Sequence, residues 1–147
     1  MDMSFEEKSA WGSLLALAVA SWLFFPMAIS HIAAGGEPVD LIFRVFFVIG
    51  VIIVIEIVYH AVAAMSARNH ESDERDAMIN MKADRIAGYV LGFGVVWIAG
   101  SAFIQDAVSW ASAAPSSTMM SIYLFLALTV SEASKCVLQI WFYRLES

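Results

Sequence analysis

Residues 41–65 read LIFRVFFVIGVIIVIEIVYHAVAAM, an almost uninterrupted apolar run that is long enough for a membrane-spanning helix. Three further apolar runs of comparable length cover residues 10–29, 86–104 and 119–142. The chain of 147 residues is 61% hydrophobic and 15% charged, whereas soluble domains have about 45–50% apolar and about 25% charged residues. The sequence therefore predicts one all-α domain over residues 1–147, an integral membrane four-helix bundle with short loops.

The charged residues predict the orientation of this bundle. Residues 1–10 hold three acids and one lysine, so the first run is expected to be a retained span and not a signal peptide, which would begin with net positive charge. Lysine and arginine concentrate on one side, which holds Lys8, Arg68, Arg75, Lys82, Arg85 and Arg144. Because only Arg44 lies on the other side, we expect both termini and the loop 66–85 in the cytoplasm.

The two halves of the chain match at a few positions. Glu56 and Glu132 lie at corresponding places in the second and fourth runs, and each is followed twelve residues later by an arginine, Arg68 or Arg144. The match fits an old duplication, which would give a parallel two-hairpin pseudo-repeat. Chance agreement explains it equally well, because the other aligned positions share little beyond apolarity.

Four ionisable residues form a candidate cluster inside the spans: Glu56, His60, Glu132 and Lys135. Twelve helical residues cover ~18 Å, so counting from the arginines puts both glutamates near the middle of a core of ~30 Å. His60 is four residues after Glu56 and Lys135 three after Glu132, so each cation shares a helix face with an acid. An intramembrane charge is costly and therefore marks a functional site by default.

Three interpretations of this cluster stay open. The groups could satisfy one another and hold the bundle together, with Glu132 paired to Lys135 and Glu56 to His60 or Lys135. They could instead form a proton or cation relay, because histidine titrates near neutral pH. A haem on His60 would need a second axial ligand, which His31 and His70 could not supply from opposite membrane faces and which only His60 of a second copy in a symmetric dimer could provide. We therefore expect no cofactor.

The loop before the third span, with Asp73, Glu74, Arg75 and Asp76, is a second candidate site. Ser72 or Asp73 would cap one long helix from about residue 73 to 104, whose first turns project beyond the membrane. Its charges are either a solvated cap or a docking surface for a partner protein. Farther along, Gly88, Gly92, Gly94 and Gly100 would let another helix approach closely.

Composition and motifs exclude several other functions. The net charge of -6 argues against a nucleic-acid partner. Cys136 is the only cysteine, so an intrachain disulfide or a cysteine-based metal cluster is impossible, and we expect no bound metal. Phosphate loops, nucleophile elbows and zinc spacings are absent, so the chain is predicted not to be an enzyme.

The segments FEEKSAW at Phe5–Trp11 and DERDAMINMKADRIAGYVLGFGV at Asp73–Val95 resemble a family of small four-helix bacterial inner-membrane proteins of unknown function. The resemblance covers the topology of nearly the whole chain and implies a multi-pass protein of the bacterial inner membrane. It supplies no catalytic residues. Some similar proteins are encoded beside small helix-turn-helix regulators, which favours a sensory or partner-binding role.

Together these features favour an accessory, scaffold or signalling subunit that acts through helix packing and its charged loop. Its expected partners are membrane lipid and either further copies of itself or another membrane protein. The alternative is a proton-coupled transporter or channel, which would use Glu56 and Glu132 with His60 and Lys135.

Overall fold

The computed structural model describes residues 5–66, 74–107 and 117–145, and confirms the predicted all-helical architecture. Four helices follow one another: α1 at Phe5–Ala33, α2 at Pro38–Ser66, α3 at Glu74–Ala107 and α4 at Ser117–Leu145. All four are long and apolar enough to cross a membrane. The chain thus has the architecture of a multi-pass membrane protein. Asp73 lies outside the described residues.

The tight connection between α1 and α2 follows from local sequence. Gly35 adopts a φ of 71°, which glycine reaches without steric cost. Its N–H donates to the carbonyl of Ile32 at 2.9 Å, and the N–H of Gly36 donates to that of His31 at 3.0 Å. These two bonds form a Schellman motif, which ends α1 and satisfies its last carbonyls. Pro38 then opens α2 at the position where a missing N–H costs nothing.

The helices run alternately up and down, with α1 and α4 at the centre. Close packing joins α1 to α2, α1 to α4 and α3 to α4. We call the half in which α1 and α3 begin and α2 and α4 end the polar half of the bundle. Because α2 packs mainly on α1 and α3 on α4, the outer sides of both flanking helices carry exposed apolar side chains, as lipid contact requires.

Small residues let the central helices approach closely. Ala16, Ala20 and Ala28 are almost fully buried along one side of α1. Phe24 completes this stripe and meets Phe125 of α4 edge to face, with ring centroids 6.0 Å apart. In lipid, such packing contributes directly to helix association because apolar burial alone contributes little.

The glycines of α3 behave differently from one another. A Cβ on Gly94 would lie 2.9 Å from the Cβ of Ala127, so glycine is needed where α3 crosses α4. A Cβ on Gly88, Gly92 or Gly100 would meet nothing within 4 Å. Of these four glycines of α3, only Gly94 lies at a close approach to another helix within the described residues.

Candidate functional site

A ladder of polar contacts joins α3 to α4 throughout the polar half. It consists of Tyr143 Oη donating to Asp76 Oδ1 at 3.0 Å, Gln139 Nε2 to Asn80 Oδ1 at 2.8 Å, Lys135 Nζ to Asp84 Oδ1 at 2.7 Å and Ser131 Oγ to the Ala87 carbonyl at 2.8 Å. The participants recur about every four residues on both helices, so each set lies on one helix face. The ladder fixes the antiparallel register of the two helices.

The start of α1 is tied to both of its neighbours. Arg144 Nε donates to Glu7 Oε1 at 2.8 Å, and this glutamate is buried. The hydroxyl of Tyr59 donates to the backbone carbonyl of Lys8, and the tyrosine ring lies directly against Gly12. A side chain at Gly12 would collide with that ring, so glycine is required for this approach of α1 and α2.

Between these contacts lies a polar cavity of about 270 Å³, which we call the acid cavity. Helices α1, α2 and α4 supply its walls, which are formed by Glu6, Ser9, Ala10, Ser13, Glu56, Glu132, Lys135, Cys136 and Gln139. Glu132 is exposed and Glu56 is half-buried, so the cavity communicates with the surface. Three of the four predicted cluster members thus share one cavity. The side chain of the fourth, His60, lies outside the described part of the structure.

The cation of this cluster is engaged elsewhere. Lys135 pairs with Asp84 on α3, a partner that the sequence interpretation did not consider, and makes no ion pair with either glutamate. Within the described ranges, none of the three cavity glutamates makes an ion pair. The acid cavity therefore carries more negative charge than its own lysine offsets. This charge favours a cationic occupant.

The ladder also sets the depth of the cavity. Since Lys135 is level with Asp84 and Ser131 with Ala87, Glu132 lies level with Ile86 and Ala87, directly after Arg85 at the end of the charged start of α3. Charged residues of α3 are costly in hydrocarbon, so this level is near the boundary of the apolar core. The register thus puts Glu132 directly beyond the charged start of α3, whereas counting to the arginines predicts a position near the midplane.

Toward the other end of the bundle the interior turns apolar. The next cavity along α1, α2 and α4 has a volume of about 80 Å³, and its lining is apolar except for Ser21 and Thr129. Both hydroxyls donate to carbonyls of their own helices, at 2.6 and 2.7 Å respectively. Ala16 and Ala20 fill the adjoining space on α1. In the described residues of one chain, the polar region therefore ends within the bundle.

The predicted partner surface is divided by the fold. Glu74 and Arg75 are exposed at the start of α3. Asp76 is buried instead, because it lies on the ladder face of α3 and accepts the hydrogen bond of Tyr143. It serves helix packing rather than an exposed surface.

Sequence reasoning missed Asn80, Asp84 and Gln139, although a signal was present. Polar residues at every fourth position, at 76, 80 and 84 of α3 and at 131, 135, 139 and 143 of α4, already indicate two complementary polar faces. Cys136 is buried and free, and it borders the acid cavity. No group of three or more potential metal ligands occurs among the described residues.

Comparison with protein-family models, curated proteins and solved structures finds no match to this chain. The resemblance carried by FEEKSAW and DERDAMINMKADRIAGYVL therefore stays a prediction.

Proposed function

We propose that this chain is an accessory or signalling subunit of the bacterial inner membrane, which binds a partner at its polar half and catalyses no reaction. The observation that carries the proposal is the acid cavity, where Glu56 and Glu132 face a common space while the nearby Lys135 is held by Asp84. Such a site is suited to receive a positively charged group from outside the chain.

The orientation of the subunit follows from its charges. Lys82, Arg85, Lys135 and Arg144 all lie in the polar half, so the positive-inside rule turns this half toward the cytoplasm. The acid cavity then faces cytoplasmic or juxtamembrane segments of a partner.

Photo-crosslinking in cells tests the partner directly. A photoreactive residue replaces Glu74 at the exposed start of α3, and a matched one replaces Glu37, which is exposed at the opposite end. We expect a discrete adduct from position 74, whose mass shows whether the partner is another copy of this chain or another protein, and none from position 37. Absence of such an adduct from position 74 would contradict the proposal.

Proton-coupled transport is the second candidate, because two carboxylates from different helices share one polar cavity. The apolar interior beyond the cavity argues against a path through one chain. Purified protein in sealed vesicles with an imposed pH gradient separates the two functions. Transport predicts a proton flux that Glu56→Gln and Glu132→Gln abolish and Glu37→Gln leaves intact, whereas an accessory subunit gives no flux above empty vesicles.

A further inference from the structure

One side of α3 has no counterpart inside the chain. Lys82, Arg85, Gly88, Gly92 and Val96 are all exposed and lie outside the ladder face of α3; we call them the outer face of α3. The two glycines leave open space around their backbone. Lys82 and Arg85 make no ion pair with another residue of the described ranges. This face thus combines two available cations with a smooth surface for a helix.

The acid cavity has the complementary properties. Its three glutamates supply negative charge, and the ladder puts Arg85 level with Ala133 and Ser134, the two residues after Glu132. The acid cavity lies in a groove that α1, α2 and α4 form together, which we call the α1–α2–α4 groove. Farther along these helices the groove becomes apolar, as the outer face does beyond Gly88. Both surfaces are therefore charged in the polar half and apolar farther along. When two copies lie at equal depth, charged parts face charged parts and apolar parts face apolar parts.

These two surfaces do not meet within one chain. Lys82 and Arg85 border a shallow cavity formed by α3 and Phe142, whereas Glu56 and Glu132 lie where α4 faces α1 and α2. Helix α4, about 10 Å across, stands between them. The cations and acids of one copy are thus kept apart by the fold itself.

We propose that two copies of this chain associate side by side, with the outer face of α3 of each copy in the α1–α2–α4 groove of the other. A two-fold axis along the membrane normal leaves every residue at its own depth, so Lys82 and Arg85 of one copy reach the acid cavity of the second copy. Because each copy offers both surfaces, the arrangement closes as a dimer. This inference rests on the proposed function for one point, that the acid cavity receives a cation. It adds that this cation comes from a second copy of the chain.

Charge exchange tests the pairing in lipid bilayers, with single-molecule fluorescence counting the copies in each complex. Wild-type protein is expected to form dimers. Arg85→Glu alone and Glu56→Arg alone place like charges at both contacts of their own dimers, so each variant should self-associate about tenfold or more weakly. A mixture of the two variants has two complementary contacts per dimer. It should therefore form mixed dimers with near wild-type affinity.

Glycine substitutions test the packing without changing charge. Gly88→Ile and Gly92→Ile fill the outer face of α3, and Gly50→Ile adds the same bulk to an equally open position on α2. The first two changes should weaken the dimer and the third should not. A Cβ atom at any of the three positions would meet nothing within 4 Å in the single chain, so we expect all three variants to keep the helicity and thermal stability of the wild type.

Three outcomes would overturn the proposed dimer: wild-type monomers in the bilayer, dimers unaffected by both glycine substitutions on α3, or failure of the mixed charge variants to associate. Each of these outcomes is compatible with a photo-crosslinked adduct between position 74 and another protein. The failure of this inference is therefore distinguishable from failure of the proposed function.

Discussion

Removing the hydroxyl of Tyr143 should destabilise the bundle far more than the same change at an exposed tyrosine. Tyr143 is 6% exposed and donates at 3.0 Å to Asp76, which is 8% exposed. Phenylalanine at this position would leave a buried acidic side chain without its donor. Leaving a buried polar group unsatisfied costs about 1–3 kcal/mol, and hydrogen bonds to charged groups lie at the upper end. We therefore expect Tyr143→Phe to lower the free energy of unfolding by about 2 kcal/mol.

The expected magnitude distinguishes this contact from an ordinary hydrogen bond between membrane helices. Such bonds contribute about 0.6 kcal/mol on average, because the dissociated helices find other partners. Equilibrium unfolding in mixed micelles, followed by circular dichroism, measures the difference. Tyr123→Phe is the matched control, since Tyr123 is 43% exposed and loses the same atom.

A double-mutant cycle then isolates the contact. Asp76→Asn keeps an acceptor but removes the charge, so Tyr143→Phe should cost less in its presence, with a coupling of about 1 kcal/mol or more. If Tyr143→Phe and Tyr123→Phe lower the free energy of unfolding equally, the ladder does not stabilise the polar half and the reasoning from burial is refuted.

Two further predictions concern the contact of α3 with α4. Gly94→Leu should lower the thermal unfolding temperature clearly, because its Cβ alone would lie 2.9 Å from the Cβ of Ala127. Gly100→Leu is the control and should lower this temperature little, since a Cβ at position 100 would meet no atom within 4 Å. Lys135→Met and Asp84→Asn should show a coupling of about 0.5–1 kcal/mol in the free energy of unfolding, because both side chains remain partly exposed. Additive effects of these two changes would contradict a direct ion pair.

The four helices were predictable because each apolar run is by itself long enough to span a membrane as a helix. The spans at 10–29, 41–65, 86–104 and 119–142 all fall within helices of the structure. The long third helix was also predictable, since no proline or glycine interrupts the charged segment before Ile86. These features are local, so one sequence is enough to define them.

The partner of Lys135 was not predictable by the same means. Spacing along α4 favours Glu132, three residues earlier, but the ladder face of α4 passes through Ser131, Lys135 and Gln139. Glu132 lies beside that face, toward α1 and α2. The competing acid, Asp84, lies on another helix at a depth that only the register of α3 against α4 determines. Short-range spacing therefore singled out Lys135 but did not identify Asp84 as its ion-pair partner.

The position of Asp84 gives the acid cavity its character. If Lys135 were free to turn toward Glu132, it would offset one of the three cavity glutamates and leave Glu6 and Glu56. Because Asp84 engages the ammonium group at 2.7 Å, Glu56 and Glu132 have no ion-pair partner within the described ranges. They are therefore placed to bind a cation from outside the chain. Neutralising Asp84 should therefore release Lys135 toward Glu132 and weaken any cationic partner of the cavity. The α3–α4 ladder thus links helix packing to binding, and a loss of binding in Asp84→Asn with the fold intact would be the expected sign of that link.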